Sequence, residues 1–157
     1  MTEDQRQMEP IASLLRAEST VALATVDQCA QACVAPLYYI ADQDLALYWL
    51  SSANSLHSRN LARNPAASAA VYRQTDYWKQ ICGVQMRGQV SVVHDPQQRA
   101  SLVRTYCERF GLGGVLRLAI RRSTLYAFHP EWFRYIDNSI RFGYTFEVTR
   151  PRWTETS

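Results

Sequence analysis

Three apolar runs crowd into residues 20–50, and the gaps between them are too short for anything but antiparallel strands. TVALATVD (20–27), QACVAPLYYIA (31–41) and LALYWL (45–50) are rich in β-branched and aromatic residues, with three residues in each gap. A parallel return needs a crossover of about a dozen residues or more, so the spacing predicts an antiparallel meander. Pro36 inside the second run predicts an edge strand, a bulge, or a position where the ladder needs no N–H. Strand and helix never alternate regularly, and neither GxGxxG nor GxxxxGK[ST] occurs, which argues against a doubly wound nucleotide-binding sheet.

The rest of the chain fits the same plan. Ile11, Leu14 and Leu15 recur at helical spacing, predicting an amphipathic helix over about 5–18 that tolerates Pro10 early on. A second helix is expected over about 55–63, stopped by Asn64-Pro65, and a third of about fifteen residues from Asp95-Pro96 to GLGG (111–114). Residues 115–122 read as helical or irregular. Further strands are expected over 66–74, 81–94, 123–137 (interrupted near Pro130) and 142–148. The fold class is mainly β (α+β): a small antiparallel barrel of six to seven strands with two to three flanking helices. One domain spans 1–157, its barrel running from about 20 to 148.

Composition narrows the function. A net charge of +3, with no basic block, gives no footprint for nucleic acid. No apolar run approaches the ~20 residues needed to span a bilayer, and the acidic start MTEDQRQMEP lacks the order of a signal peptide. A cytoplasmic protein is expected. Cys29, Cys33, Cys82 and Cys107 form no CxxC pair and have no histidine at zinc spacing. They are read as buried free thiols, with Cys29 and Cys33 on one strand, and no metal site is expected.

The stretch most open to a ligand is LSSANSLHSRNLARNP (50–65). A hydroxyl-rich turn at a helix N-terminus gathers unpaired N–H groups and serine hydroxyls, which can hold an anion such as phosphate. Ser51, Ser52, Ser55 and His57 are the candidate residues. The plain alternative is that the serines are turn and cap residues. A helix N-terminus disfavours a protonated His57, whereas a bound phosphate favours it. Neither a Ser-His-Asp set nor paired carboxylates can be recognised, and His94 and His129 stand without a nearby partner in sequence.

Three segments carry a family resemblance. VALATVD…ACVAPLYYIADQDLALYWLSS, SLHSRNLARNPAASAAVY and GVQMRGQVSVV together resemble the opening strands, short helix, small-residue strand and long strand of the pyridoxamine 5′-phosphate oxidase-like superfamily, the FMN-binding split barrels. YIDNSIRFGYTFEV resembles an uncharacterised bacterial branch of that superfamily. The resemblance implies a homodimer with two FMN sites at the subunit interface. It implies Ser51, Ser52, Ser55 and His57 around the flavin phosphate, backbone contacts to the ring from Ala35, Pro36, Leu37 and Tyr38, and a side-chain contact from Gln85. Leu56 and His57 stand where oxidase-type members carry basic residues, and no C-terminal basic set resembles the one used for pyridoxamine phosphate. The expectation is an FMN flavoprotein, an oxidoreductase acting on an unidentified small molecule with no named general acid or base, since the flavin itself accepts the hydride. The alternatives are a split barrel that binds another planar ligand such as haem, with His57 or His129 as axial candidates, or a scaffold without FMN.

Overall fold

A computed structural model describes residues 3–154. Helix α1 (Glu3–Ala17) turns Ile11, Leu14 and Leu15 inward, as their spacing predicts. Then come β1 (Thr20–Val26), β2 (Ala32–Tyr38), β3 (Ile40–Ala41), β4 (Leu47–Ser51), α2 (Leu56–Arg63), β5 (Ala66–Tyr72), β6 (Cys82–Val92), α3 (Pro96–Phe110), α4 (Arg117–Arg122), β7 (Thr124–Asp137) and β8 (Thr145–Thr149). The fold is the expected antiparallel split barrel. Its eighth strand and fourth helix come from two short pieces, β3 and α4.

The sheet runs β2-β1-β5-β6-β7-β4-β3, with β8 added on β7. The serial meander expected from the short gaps is therefore corrected. The hairpins β1–β2 and β3–β4 end up at opposite ends of the sheet, with β5, β6 and β7 between them. The run 31–41 breaks at Tyr39, whose fully buried ring sends its hydroxyl 2.7 Å to the Leu15 carbonyl and leads the chain out of the first hairpin. Pro36 lies on β2, an edge strand paired only with β1, where a missing N–H costs no ladder bond.

Strand β7 carries the split. One of its edges pairs with β6 throughout, while the other is shared by β4 along 124–128 and β8 along 132–136. Pro130 does not interrupt the strand. Arg87 faces Trp132 while Gly88 faces Pro130, so Glu131 is an extra residue that bulges β7 and reverses which of its side chains point inward.

The inner face packs Trp49, Phe128, Phe133, Leu23, Met86 and Val71 against α1. Each fully buried aliphatic side chain contributes about 1.5–3 kcal/mol. A second cluster holds α3 on the outer face through Tyr106, Val93, Leu125 and Ala127. Helix α3 starts where Asp95 accepts the Gln98 N–H at 2.7 Å, and it stops at Gly111 in the left-handed conformation (φ 61°).

No helix among the described residues is long and apolar enough to cross a membrane. The cysteine reading needs correction: only Cys82 is buried, Cys33 and Cys107 are half-buried, and Cys29 is exposed in the β1–β2 turn rather than on a strand with Cys33. The Asp27 carboxylate accepts the Cys29 and Gln31 N–H groups there and closes the hairpin.

Candidate anion and cofactor site

Ser51 ends β4, and the chain then makes one tight turn before α2. Ser52 closes that turn, its hydroxyl accepting the Asn54 N–H at 3.2 Å and its carbonyl accepting the Ser55 N–H at 3.1 Å. Ser55 is the N-cap, and its hydroxyl oxygen accepts the Ser58 N–H at 3.4 Å. Asn60 and Leu61 anchor the helix from below, the Asn60 amide donating to the buried Thr25 hydroxyl at 3.1 Å.

Three of the expected phosphate residues converge. His57 Nε2 lies 2.8 Å from Ser51 Oγ and 3.1 Å from Ser55 Oγ. Ser55 Oγ also lies 2.8 Å from Ser58 Oγ, which links the imidazole to the next turn of the helix. Burial lowers the His57 pKa and keeps the ring neutral. Ser52 stands apart, exposed and committed to the turn. Leu56, where a cation is expected, is 52% exposed and points an apolar chain outward. The result is a cradle of hydroxyls, one imidazole and first-turn amides, groups of the kind that can meet an anion.

Ala35, Pro36, Leu37 and Tyr38 lie on edge strand β2, against which α2 packs. The outer edge of β2 is unpaired, so part of its main chain is free to meet a ligand or another chain. Gln85 is three strands away, exposed on the outer face of β6 opposite Ala70 and Arg134. It lines a groove of about 580 Å³ floored by Ala22, Ala24, Ser68 and Ala70 and walled by Val34 and Trp132. The small residues of β5 are what open this groove. The Arg87 guanidinium stacks 4.0 Å over Trp132 at its rim.

Sequence reasoning missed the aromatic group beside β2. Tyr106 donates its hydroxyl to the Tyr38 carbonyl at 3.2 Å, and Phe110 lies 4.8 Å from both the Tyr38 and Tyr106 rings. Burial pushes the Tyr106 pKa up to about 12, so it remains a donor. Tyr106 and Phe110 stand at i, i+4 spacing on one face of α3, and nothing in that spacing points to Tyr38. His129 also gains partners invisible in sequence. Its Nε2 is 2.9 Å from Ser91 Oγ, its ring stacks on Trp153 at 3.9 Å, and burial lowers its pKa.

A sheet split along β7, with a hydroxyl-rich turn where β4 meets a short helix, defines a split-barrel protein. The chain belongs to the pyridoxamine 5′-phosphate oxidase family, whose profile matches residues 8–137. It is 28% identical over 107 residues to a UPF0306 protein of Cronobacter sakazakii, spanning 68% of this chain and 70% of that one. Two solved structures share the fold. A conserved hypothetical protein from Mycobacterium tuberculosis is 19% identical with a TM-score of 0.72, over 88% of this chain and 86% of that one. HutZ, the heme storage protein from Vibrio cholerae, is 22% identical with a TM-score of 0.65, over 79% and 90%.

Proposed function

We propose that this chain binds FMN non-covalently and works as a flavin-dependent oxidoreductase, as a homodimer with its sites at the subunit interface. The observation that carries this reading is the convergence of Ser51, Ser55 and His57 at the α2 N-terminus. The donor set suits a terminal phosphate: the hydroxyls can rotate to donate, an imidazole stands among them, and the helix dipole favours negative charge. Bound there, FMN would supply the hydride and electron chemistry. The chain's own residues would hold the phosphate at Ser51, Ser55 and His57, and would meet the ring with the β2 backbone from Ala35 to Tyr38. Gln85 belongs to this reading as a contact from the outer-face groove. The substrate is an unidentified small molecule.

The likeness to HutZ favours haem as the second reading. His57 and His129 would be its axial candidates, yet each has Nε2 engaged with a serine. Coordination at that nitrogen would have to break the contact.

An absorbance spectrum of purified protein, before and after adding FMN and removing the excess, separates the two. A retained oxidised-flavin spectrum supports the first reading, and a Soret band after haem addition supports the second. Protein that retains no flavin refutes the first.

A further inference from the structure

Val115 is 98% exposed, more than any other large apolar side chain among the described residues. It stands on the link between α3 and β7, where a single turn (Gly114–Leu116) runs into α4. Leu116 and Leu118 beside it are 47% and 58% exposed. The glycines of 111–114 carry this segment clear of the sheet: a Cβ built on Gly111, Gly113 or Gly114 would meet nothing within 4 Å. Its far end is fastened. The Arg99 guanidinium donates to the Ser123 carbonyl at 2.9 Å and to the Ile120 carbonyl at 3.5 Å. Ser123 Oγ donates to the Ala119 carbonyl at 2.8 Å. These bonds satisfy the last carbonyls of α4 and brace the projection from behind.

The charge around this tip has one sign. Arg117, Arg121 and Arg122 are all exposed, and no acidic residue occurs between Glu108 and Glu131. Among the described residues the only ion pair joins Arg134 to Glu147, so these three guanidinium groups have no carboxylate partner. Aliphatic side chains flanked by arginines complement a bilayer rich in anionic lipid. The apolar tips enter the boundary between headgroups and acyl chains, while the guanidinium groups stay level with the phosphates. Other occupants fit less well. Three aliphatic side chains offer roughly 300 Å², well short of the ~800 Å² per partner of a standard protein interface. A second copy meeting the tip about a two-fold axis would set arginine against arginine. Nucleic acid would use the arginines and leave Val115 and Leu118 in water.

We propose that residues 113–122 dock this protein on the surface of an anionic bilayer, with Val115, Leu116 and Leu118 inserted and Arg117, Arg121 and Arg122 on the lipid phosphates. Such a contact lies on the membrane and needs no spanning helix. It is independent of the FMN reading.

The test is co-sedimentation of the full chain with two kinds of vesicle, phosphatidylcholine alone and equal parts phosphatidylcholine and phosphatidylserine. Wild type is expected to sediment with the mixed vesicles, to be released by salt, and to stay in solution with phosphatidylcholine alone. The double variant Val115→Ser, Leu118→Ser removes the apolar tip and keeps the charge, and Arg121→Gln, Arg122→Gln does the reverse. Each is expected to bind at least about five-fold more weakly, the value of one arginine near an anionic surface. Their circular dichroism should match wild type, since all four side chains are exposed. Wild type that stays in solution with the mixed vesicles, or that binds both kinds alike, overturns the proposal. So does a Val115, Leu118 variant that binds like wild type, because the arginines alone would then explain the attraction.

Discussion

Ser51 Oγ and His57 Nε2 stand 2.8 Å apart and join the end of β4 to the first turn of α2. The contact gives the cradle its shape before any ligand arrives, because it holds the imidazole ring against the end of the strand. Ser51→Ala and Ser55→Ala are each expected to weaken FMN binding about ten-fold, the value of one hydrogen bond at ~1.4 kcal/mol. Ser52→Ala should change it far less, since that hydroxyl serves the Asn54 N–H. Fluorescence titration of FMN against the three variants checks the order, and an equal loss in all three would contradict it.

Two histidines set a direction for stability against pH. His57 and His129 both have pKa values lowered by burial. Each is therefore neutral in the fold at pH values where the unfolded chain, titrating near ~6.5, begins to bind a proton. Unfolding takes up protons in that window, so stability is full above about pH 6.5 and falls as pH drops through it toward the folded-state pKa values. Urea midpoints measured from about pH 7.5 down to 5.5 should decline, and the decline should shallow in His57→Gln. A flat wild-type profile would show that neither histidine is held neutral.

Gly88 exists for a steric reason. A Cβ at this position would run into the His129 carbonyl oxygen, and it would also stand 2.8 Å from the carbonyl carbon and 3.0 Å from the Pro130 Cα. All three are backbone atoms of β7 at its bulge, so nothing there can swing aside. Gly88→Ala is expected to cost more than about 3 kcal/mol, beyond the usual range for overpacking, and chemical denaturation would read it. Gly83 offers the contrast. A Cβ there meets the Tyr72 Cβ at 3.1 Å and the Val71 carbonyl oxygen at 3.3 Å, a tight fit but a lesser one.

Much of the fold could be read from local signals, and the misses share one cause. Helix α3 was bounded correctly because Asp95-Pro96 and Gly111 are stop and start chemistry written in adjacent residues. Strand order was not, because the β1–β5 and β4–β7 pairings join segments far apart in sequence and no turn encodes them. Pro130 is expected to break the strand because proline removes a ladder donor, whereas β7 runs on through a bulge at Glu131. The cradle residues Ser51, Ser55 and His57 lie within seven positions, so their meeting was legible. The Tyr38–Tyr106–Phe110 group spans some seventy positions and was not.

Leu45 carries the clearest local conflict in the chain. It is 2% exposed in the inner core, yet its backbone lies at φ 62°, in the left-handed region that favours glycine. The turn demands this geometry: the Leu45 N–H donates to the Asp42 carbonyl at 3.3 Å, the Asp42 N–H to the Ala46 carbonyl at 3.1 Å, and the Asp42 carboxylate accepts the Ala46 N–H at 2.9 Å. For an L-residue the left-handed conformation costs roughly 1–2 kcal/mol, which burial of a leucine side chain, about 1.5–3 kcal/mol, offsets. Leu45→Ala loses the burial and keeps most of the strain. Leu45→Gly loses slightly more burial but removes the strain, against about 0.5–1 kcal/mol of extra chain entropy in the unfolded state. The usual order, in which glycine is the worse replacement, should therefore vanish or reverse. Urea denaturation of the two variants side by side is the measurement. A glycine variant about 1 kcal/mol less stable than the alanine variant would show that the turn carries no strain at this residue.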